Sequence, residues 1–81
     1  MWQVYILRSL ADGRHYVGMT SMAIEERLAR HNAGRVKSTK GRCPFELLYV
    51  ESHPSASEAR GRERFLKAGE GREFFRELGL G

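Results

Sequence analysis

The first twenty residues constrain the fold more than any other stretch. Residues 2–9 (WQVYILRS) are rich in β-branched and aromatic types and read as a strand. Asp12-Gly13 follows, the strongest short hairpin signal in the chain, and residues 14–20 (RHYVGMT) read as the returning strand. The turn decides which side chains share a sheet face. A two-residue turn pairs Ser9 with Tyr16, whereas a four-residue loop pairs Leu7 with Tyr16 and Tyr5 with Gly18. Both registers put Tyr5 and Tyr16 on one face, because side chains alternate with period two. A three-residue loop separates them. Two phenols beside a glycine leave room for a ligand. The plainer reading is a pair of half-buried tyrosines of the kind strands favour anyway.

The remaining segments fit an α/β or α+β domain. A helix opens at Ser21 or Met22 and runs to about Ala33, with Gly34 behind it as a stop. Residues 35–44 (RVKSTKGRCP) form a polar, basic loop, and residues 45–51 (FELLYVE) a third strand. Ser55-Ala56-Ser57-Glu58 is a capping box that starts a second helix ending near Ala68. Gly61 inside that helix costs about 1 kcal/mol relative to Ala, which points to a close approach there. A last helix, residues 71–78, turns Phe74, Phe75 and Leu78 toward the core. The expected architecture is a small three-stranded, mostly antiparallel sheet flanked by helices in the order ββαβαα, forming one domain over residues 1–81.

Composition narrows the function. Fourteen cations stand against ten acids, a net charge of +4, and eleven of the fourteen are Arg, which suits bidentate phosphate contacts. Asp12 is the only aspartate, which argues against enzymes that hold two metals in an aspartate cluster. The single cysteine, Cys43, excludes an internal disulfide and any zinc site needing two thiolates. His15, His31 and His53 include no closely spaced ligand pair, which weighs against structural zinc. The apolar start is too short for a signal or membrane segment, so a cytoplasmic protein without membrane contact is expected.

The positive charge is concentrated. Residues 27–42 hold six cations and no acid, while the rest of the chain holds eight cations against ten acids. Gly34, Ser38, Thr39 and Gly41 stand among these cations and can bring backbone N–H groups close to phosphate. Arg35, Lys37, Lys40 and Arg42 are therefore candidate nucleic-acid contacts. A solvated charged surface is the simpler alternative.

Both longer helices carry a polar anomaly on their inward stripe. Ile24, Arg27, Leu28 and His31 share the i, i+3, i+4, i+7 spacing of one face. An Arg there needs a partner or must snorkel to water. Ala59, Arg62, Glu63 and Leu66 repeat the spacing. Glu63 is either an ion-pair partner of Arg27, Arg60 or Lys67, or a carboxylate ligand for a hard divalent cation.

Taken together, these residues resemble the GIY-YIG nuclease superfamily. Gln3-Val4-Tyr5 stands for the first signature triplet and keeps its tyrosine; Tyr16-Val17-Gly18 stands for the second. Arg27 and His31 fit the arginine and histidine of the helix that follows. Glu63, within Ser57-Glu58-Ala59-Arg60-Gly61-Arg62-Glu63-Arg64-Phe65-Leu66-Lys67, fits the metal-binding glutamate. The likeness runs over roughly residues 2–78 and is greatest with the small stand-alone bacterial members. Two departures stand out: the first triplet lacks its glycine, and no Asn follows the glutamate, Asn32 lying upstream.

The resemblance implies a metal-dependent endonuclease acting on DNA, in repair or processing, with low sequence specificity or recognition of DNA structure. Glu63 would hold one Mg²⁺ or Mn²⁺, Arg27 would clamp the phosphate, and Tyr16 would take a proton from the attacking water with Tyr5 positioning it. His31 is the alternative base, since its ordinary pKa lies near neutrality. Competing readings are a non-catalytic nucleic-acid binding module and a partner-dependent subunit. RNA stays open as a substrate, and a thin core leaves room for a homodimer or a protein partner that supplies specificity.

Overall fold

The structure is a computed structural model that describes residues 1–69 and 71–79. Strand β1 (Trp2–Ser9) and strand β2 (His15–Thr20) form the expected hairpin. Its loop is the four-residue form: Ser9 N donates to Arg14 O at 2.9 Å, and Gly13 closes the turn at φ +76°. Only a residue without Cβ enters that region cheaply. Ser9 Oγ accepts from the N–H groups of Ala11 and Asp12 and fills the turn from inside. The register therefore sets Tyr5 opposite Gly18 and Leu7 opposite Tyr16.

Helix α1 (Ile24–Asn32) starts later than the sequence suggests. Thr20 Oγ1 accepts from Met22 N at 3.1 Å and holds the segment before the helix in a bend, and Ala23 takes the N-cap position without a side-chain bond. The helix ends as expected. Gly34 sits at φ +72°, Gly34 N donates to His31 O, and Arg35 N reaches back to Arg30 O. Those two bonds satisfy carbonyls that the last turn would leave orphaned.

Strand β3 (Phe45–His53) is longer than expected by two residues, because Ser52 and His53 find partners in Gln3 and Trp2. Helices α2 (Ala56–Lys67) and α3 (Gly71–Glu77) follow. Half of the capping box forms: Ser55 Oγ accepts from Glu58 N at 3.2 Å. The sheet is antiparallel throughout, in the order β2-β1-β3, so β1 is central. The element order is ββαβαα.

Period-two alternation along β1 divides its side chains between two cores. Val4 and Ile6 pack with Val17, Ala59 and Leu66 on the side of α2, with Phe74 and Phe75 of α3 against them. Tyr5 and Leu7 pack with Ile24 and Phe45 on the side of α1. Leu78 is not part of the core, being 38% exposed just beyond the end of α3. Gly61 has no close neighbour either; a Cβ there would meet open space among the described residues. On the α2 side, Glu51 gathers three donors: Tyr49 Oη at 2.7 Å, His53 Nε2 at 2.6 Å and Arg62 Nε at 2.9 Å. Arg62 also lies over the Phe74 ring at 4.4 Å. This cluster fastens β3, α2 and α3 together.

Candidate active site

On the α1 face, the inward stripe of the helix meets the two hairpin tyrosines. Tyr5 Oη lies 3.1 Å from Arg27 Nε and 2.9 Å from His31 Nε2. The Tyr5 and Tyr16 ring centroids are 6.4 Å apart, and the Tyr16 ring packs edge-on to His31 at 5.2 Å. Gly18 makes the space that their rings fill, so the room expected there for a ligand is taken by the tyrosines themselves. A Cβ at that position would stand 2.5 Å from Tyr5 Oη and 2.9 Å from Tyr16 Cε2. A side chain there would collide with both rings, so the glycine is a steric requirement of the tyrosine pair.

Burial sets the chemistry of each group. Tyr5 is fully buried, and burial raises its pKa. The Arg27 hydrogen bond and charge oppose that rise, while Tyr16 and the Glu63 carboxylate add to it. Tyr5 is thus a neutral phenol at physiological pH. His31 is also fully buried, and burial together with the Arg27 charge pushes it down to about 4. Both of its ring nitrogens are occupied, by Tyr5 on one side and by Thr39 Oγ1 at 2.7 Å on the other. The near-neutral titration that made His31 an alternative base is absent in this fold.

Tyr16 is more accessible. It is only partly buried, and its Oη lies 3.5 Å from Ser38 Oγ at the exposed rim. Arg27 spends Nε on Tyr5; its Nη groups carry no bond to another described residue. Glu63 projects from α2 with its side chain 19% exposed and ion-pairs with Lys67 at 3.4 Å. The Lys67 Nζ stands 6.0 Å from the Tyr16 ring centroid, so the Lys67 end of this ion pair reaches Tyr16 although α2 itself packs on the other face of the sheet. Of the partners considered for Glu63 in the sequence, the structure selects Lys67.

The basic loop is pinned to this site. Thr39 binds His31, Ser9 Oγ donates to Arg42 O at 2.6 Å, and Leu10 N donates to Pro44 O at 2.8 Å. Asn32 grips Phe45 through both backbone groups and ties α1 to the start of β3. Arg35, Lys37 and Lys40 are exposed. Arg42 is partly exposed and already has partners, pairing with Asp12 at 3.2 Å and lying over Phe45 at 5.8 Å. Arg30 adds a cation beside Arg35, the two lining a shallow hollow with Ala29 and Ala33. Sequence reasoning named Ser38 and Thr39 only for their backbone N–H groups, Lys67 only as an ion-pair partner and Arg30 only within the cationic stretch, and gave none of their side chains a place in the site. Thr39 carried a signal nonetheless, as the β-branched hydroxyl in an otherwise basic and glycine-containing loop.

Comparison with known proteins fits this arrangement to a family of nuclease-like domains. Residues 1–74 match the GIY-YIG catalytic domain, and the chain belongs to that family. Its relatives include a UPF0213 protein of Halobacterium salinarum, 43% identical over 68 residues that cover 83% of this chain and 86% of that one. A UPF0213 protein of Nitratidesulfovibrio vulgaris is 44% identical over 68 residues, 83% of this chain and 60% of the relative's length. The solution NMR structure of a UPF0213 protein from Bacillus halodurans superposes with a TM-score of 0.56 at 34% identity, covering 100% of this chain and 88% of that one.

Proposed function

We propose that this protein is a divalent-metal-dependent endonuclease, a single domain over residues 1–81, that hydrolyses phosphodiester bonds of DNA in the cytoplasm. It acts with low sequence specificity or by recognising DNA structure, in repair or processing. The observation that carries the reading is the convergence of Tyr5, Tyr16 and Arg27 at the Gly18 notch, in a chain of a nuclease family.

The fit to a metal rests on Glu63. Its half-buried carboxylate already accepts one cation, the Lys67 ammonium. No group of three or more His, Cys, Asp or Glu gathers among the described residues. One carboxylate suits Mg²⁺ or Mn²⁺, whose shell water and phosphate oxygens complete, and does not suit zinc. When bound, such an ion supplies Lewis-acid stabilisation of charge on the phosphate and the leaving oxygen.

The protein groups divide the remaining work. Tyr16, at the open rim, accepts the proton of the attacking water as its phenolate and becomes the neutral phenol. Tyr5 keeps its own proton and aligns Arg27, whose Nη groups hold the phosphate and offset charge in the transition state. His31 holds Tyr5. Arg35, Lys37 and Lys40, joined by Arg30, follow the nucleic-acid backbone; Arg42 contributes less because Asp12 already neutralises it.

The test is a cleavage panel of single-stranded, duplex, flapped and branched DNA, and RNA, with and without Mg²⁺ and Mn²⁺. Wild type should cleave only with metal, and Glu63→Ala and Tyr16→Phe should each lose about 100-fold or more. Full activity in either variant removes that residue's assignment. Salt-dependent binding without cleavage under any metal would identify a non-catalytic binding module instead.

A further inference from the structure

The hydrogen-bond chain behind Tyr5 has a single consistent direction. Arg27 can only donate, so its Nε makes the Tyr5 oxygen an acceptor at 3.1 Å. The phenol proton then goes to the other neighbour of that oxygen, His31 Nε2 at 2.9 Å. A nitrogen that accepts must be bare, so the ring proton of the neutral imidazole sits on Nδ1. Nδ1–H donates to Thr39 Oγ1 at 2.7 Å, and the Thr39 hydroxyl passes its own proton to the Val36 carbonyl at 3.4 Å.

Tyr5, His31 and Thr39 are each 0% exposed, so solvent does not substitute for a missing partner. Without the Thr39 oxygen, Nδ1–H would be a buried donor with no acceptor, a costly state. Moving the proton to Nε2 relieves that cost but turns it against Tyr5, whose oxygen would then face two donors. The Tyr5 proton would lose its acceptor, and the Arg27–Tyr5 alignment would loosen.

We propose that Thr39 is a positioning residue of this site: its hydroxyl fixes His31 as the Nδ1–H tautomer, which holds Tyr5 in place and thereby aims Arg27 at the reacting phosphate. The catalytic half of this proposal rests on the nuclease reading above. It also couples the seating of the basic loop to the geometry of the site. Thr39 lies within the cationic stretch, next to the Ser38 that meets Tyr16.

The experiment compares wild type, Thr39→Val and Thr39→Ser as full-length chains. Long-range ¹H–¹⁵N spectra of the imidazoles report the His31 tautomer, and cleavage kinetics with Mg²⁺ report kcat and KM. Wild type and Thr39→Ser should show Nδ1–H and a bare Nε2. Thr39→Val should shift the proton to Nε2 and lose about 10- to 100-fold in kcat with KM within about threefold. Thr39→Ser should keep kcat within about threefold of wild type.

Retention of either the wild-type tautomer or the wild-type kcat by Thr39→Val overturns the proposal. If the valine variant does not fold, an Nε2–H tautomer in wild type or in Thr39→Ser overturns it. Absence of cleavage by wild type would remove the nuclease reading and the catalytic half with it, while the ring spectra would still decide the hydrogen-bond chain.

Discussion

At His31, burial and the Arg27 charge hold the folded-state pKa at about 4, against 6.5 for a free imidazole. Between those values the unfolded chain binds the proton and the folded chain does not, so stability rises with pH across the window. The contribution of the neutral ring is complete above about pH 6.5 and is lost as pH falls through about 4. Its ceiling is about 3 kcal/mol. Denaturant titrations of wild type and His31→Gln from pH 7 to pH 4 should show a steeper loss in wild type; parallel curves would refute this account. Gly18 gives a second prediction. Gly18→Ala drives a methyl against Tyr5, which is fully buried and cannot move aside. Overpacking of this kind costs about 1–3 kcal/mol, measurable as a lower denaturation midpoint. Period-two spacing paired Tyr5 with Tyr16 and helical spacing paired Arg27 with His31, but that the two pairs meet was implied only by the family resemblance, because spacing does not say which sheet face a helix covers. The sequence did not show Thr39 as the partner of His31, since a loop residue's contacts depend on how the loop is seated. Nor did it choose Lys67 among the partners of Glu63, because that choice depends on rotamers.

Elements were legible where local chemistry sets them. The β1–β2 hairpin was legible from Asp12-Gly13 and the end of α1 from Gly34, whereas the four-residue loop length, set with Ser9 filling the turn, was left open. Where tertiary pairing decides, the sequence fell short: β3 runs on to His53 because β1 offers partners there. Gly61 and Leu78 were misjudged for a related reason. Helical pattern says which residues share a stripe, but not where the neighbouring element stops, and both positions face open space or solvent. The cap of α2 provides a test at this scale. Ser55 Oγ satisfies Glu58 N, so Ser55→Ala should cost about 1 kcal/mol in equilibrium unfolding. The same change at exposed Ser57, which caps nothing, should be nearly neutral. The Asp12–Arg42 pair on the basic loop is partly exposed and worth little by itself. The loop is held chiefly by its backbone ties to Ser9 and Leu10 and by Thr39.

For the whole molecule, the net charge of +4 resolves into a cationic ridge along the end of α1 and the loop, on a body that is slightly acidic. If Arg30, Arg35, Lys37 and Lys40 track phosphates, DNA affinity should fall linearly with the logarithm of salt. Lys37→Ala/Lys40→Ala together should flatten that slope by about 1.8, while weakening binding equally across sequences. An unchanged slope would place the nucleic acid elsewhere on the surface. The central position of β1 has a consequence in time as well as in space. Its amides are bonded on both sides and covered by both cores, so they should exchange with solvent deuterium only through global opening. The loop amides around Lys40 and Gly41 have fewer ties and should exchange sooner. Tyr5 therefore rides on the slowest-opening strand of the protein, while Ser38 and the exposed lysines belong to a faster-breathing segment. Residues that meet at one site would be released on separate clocks.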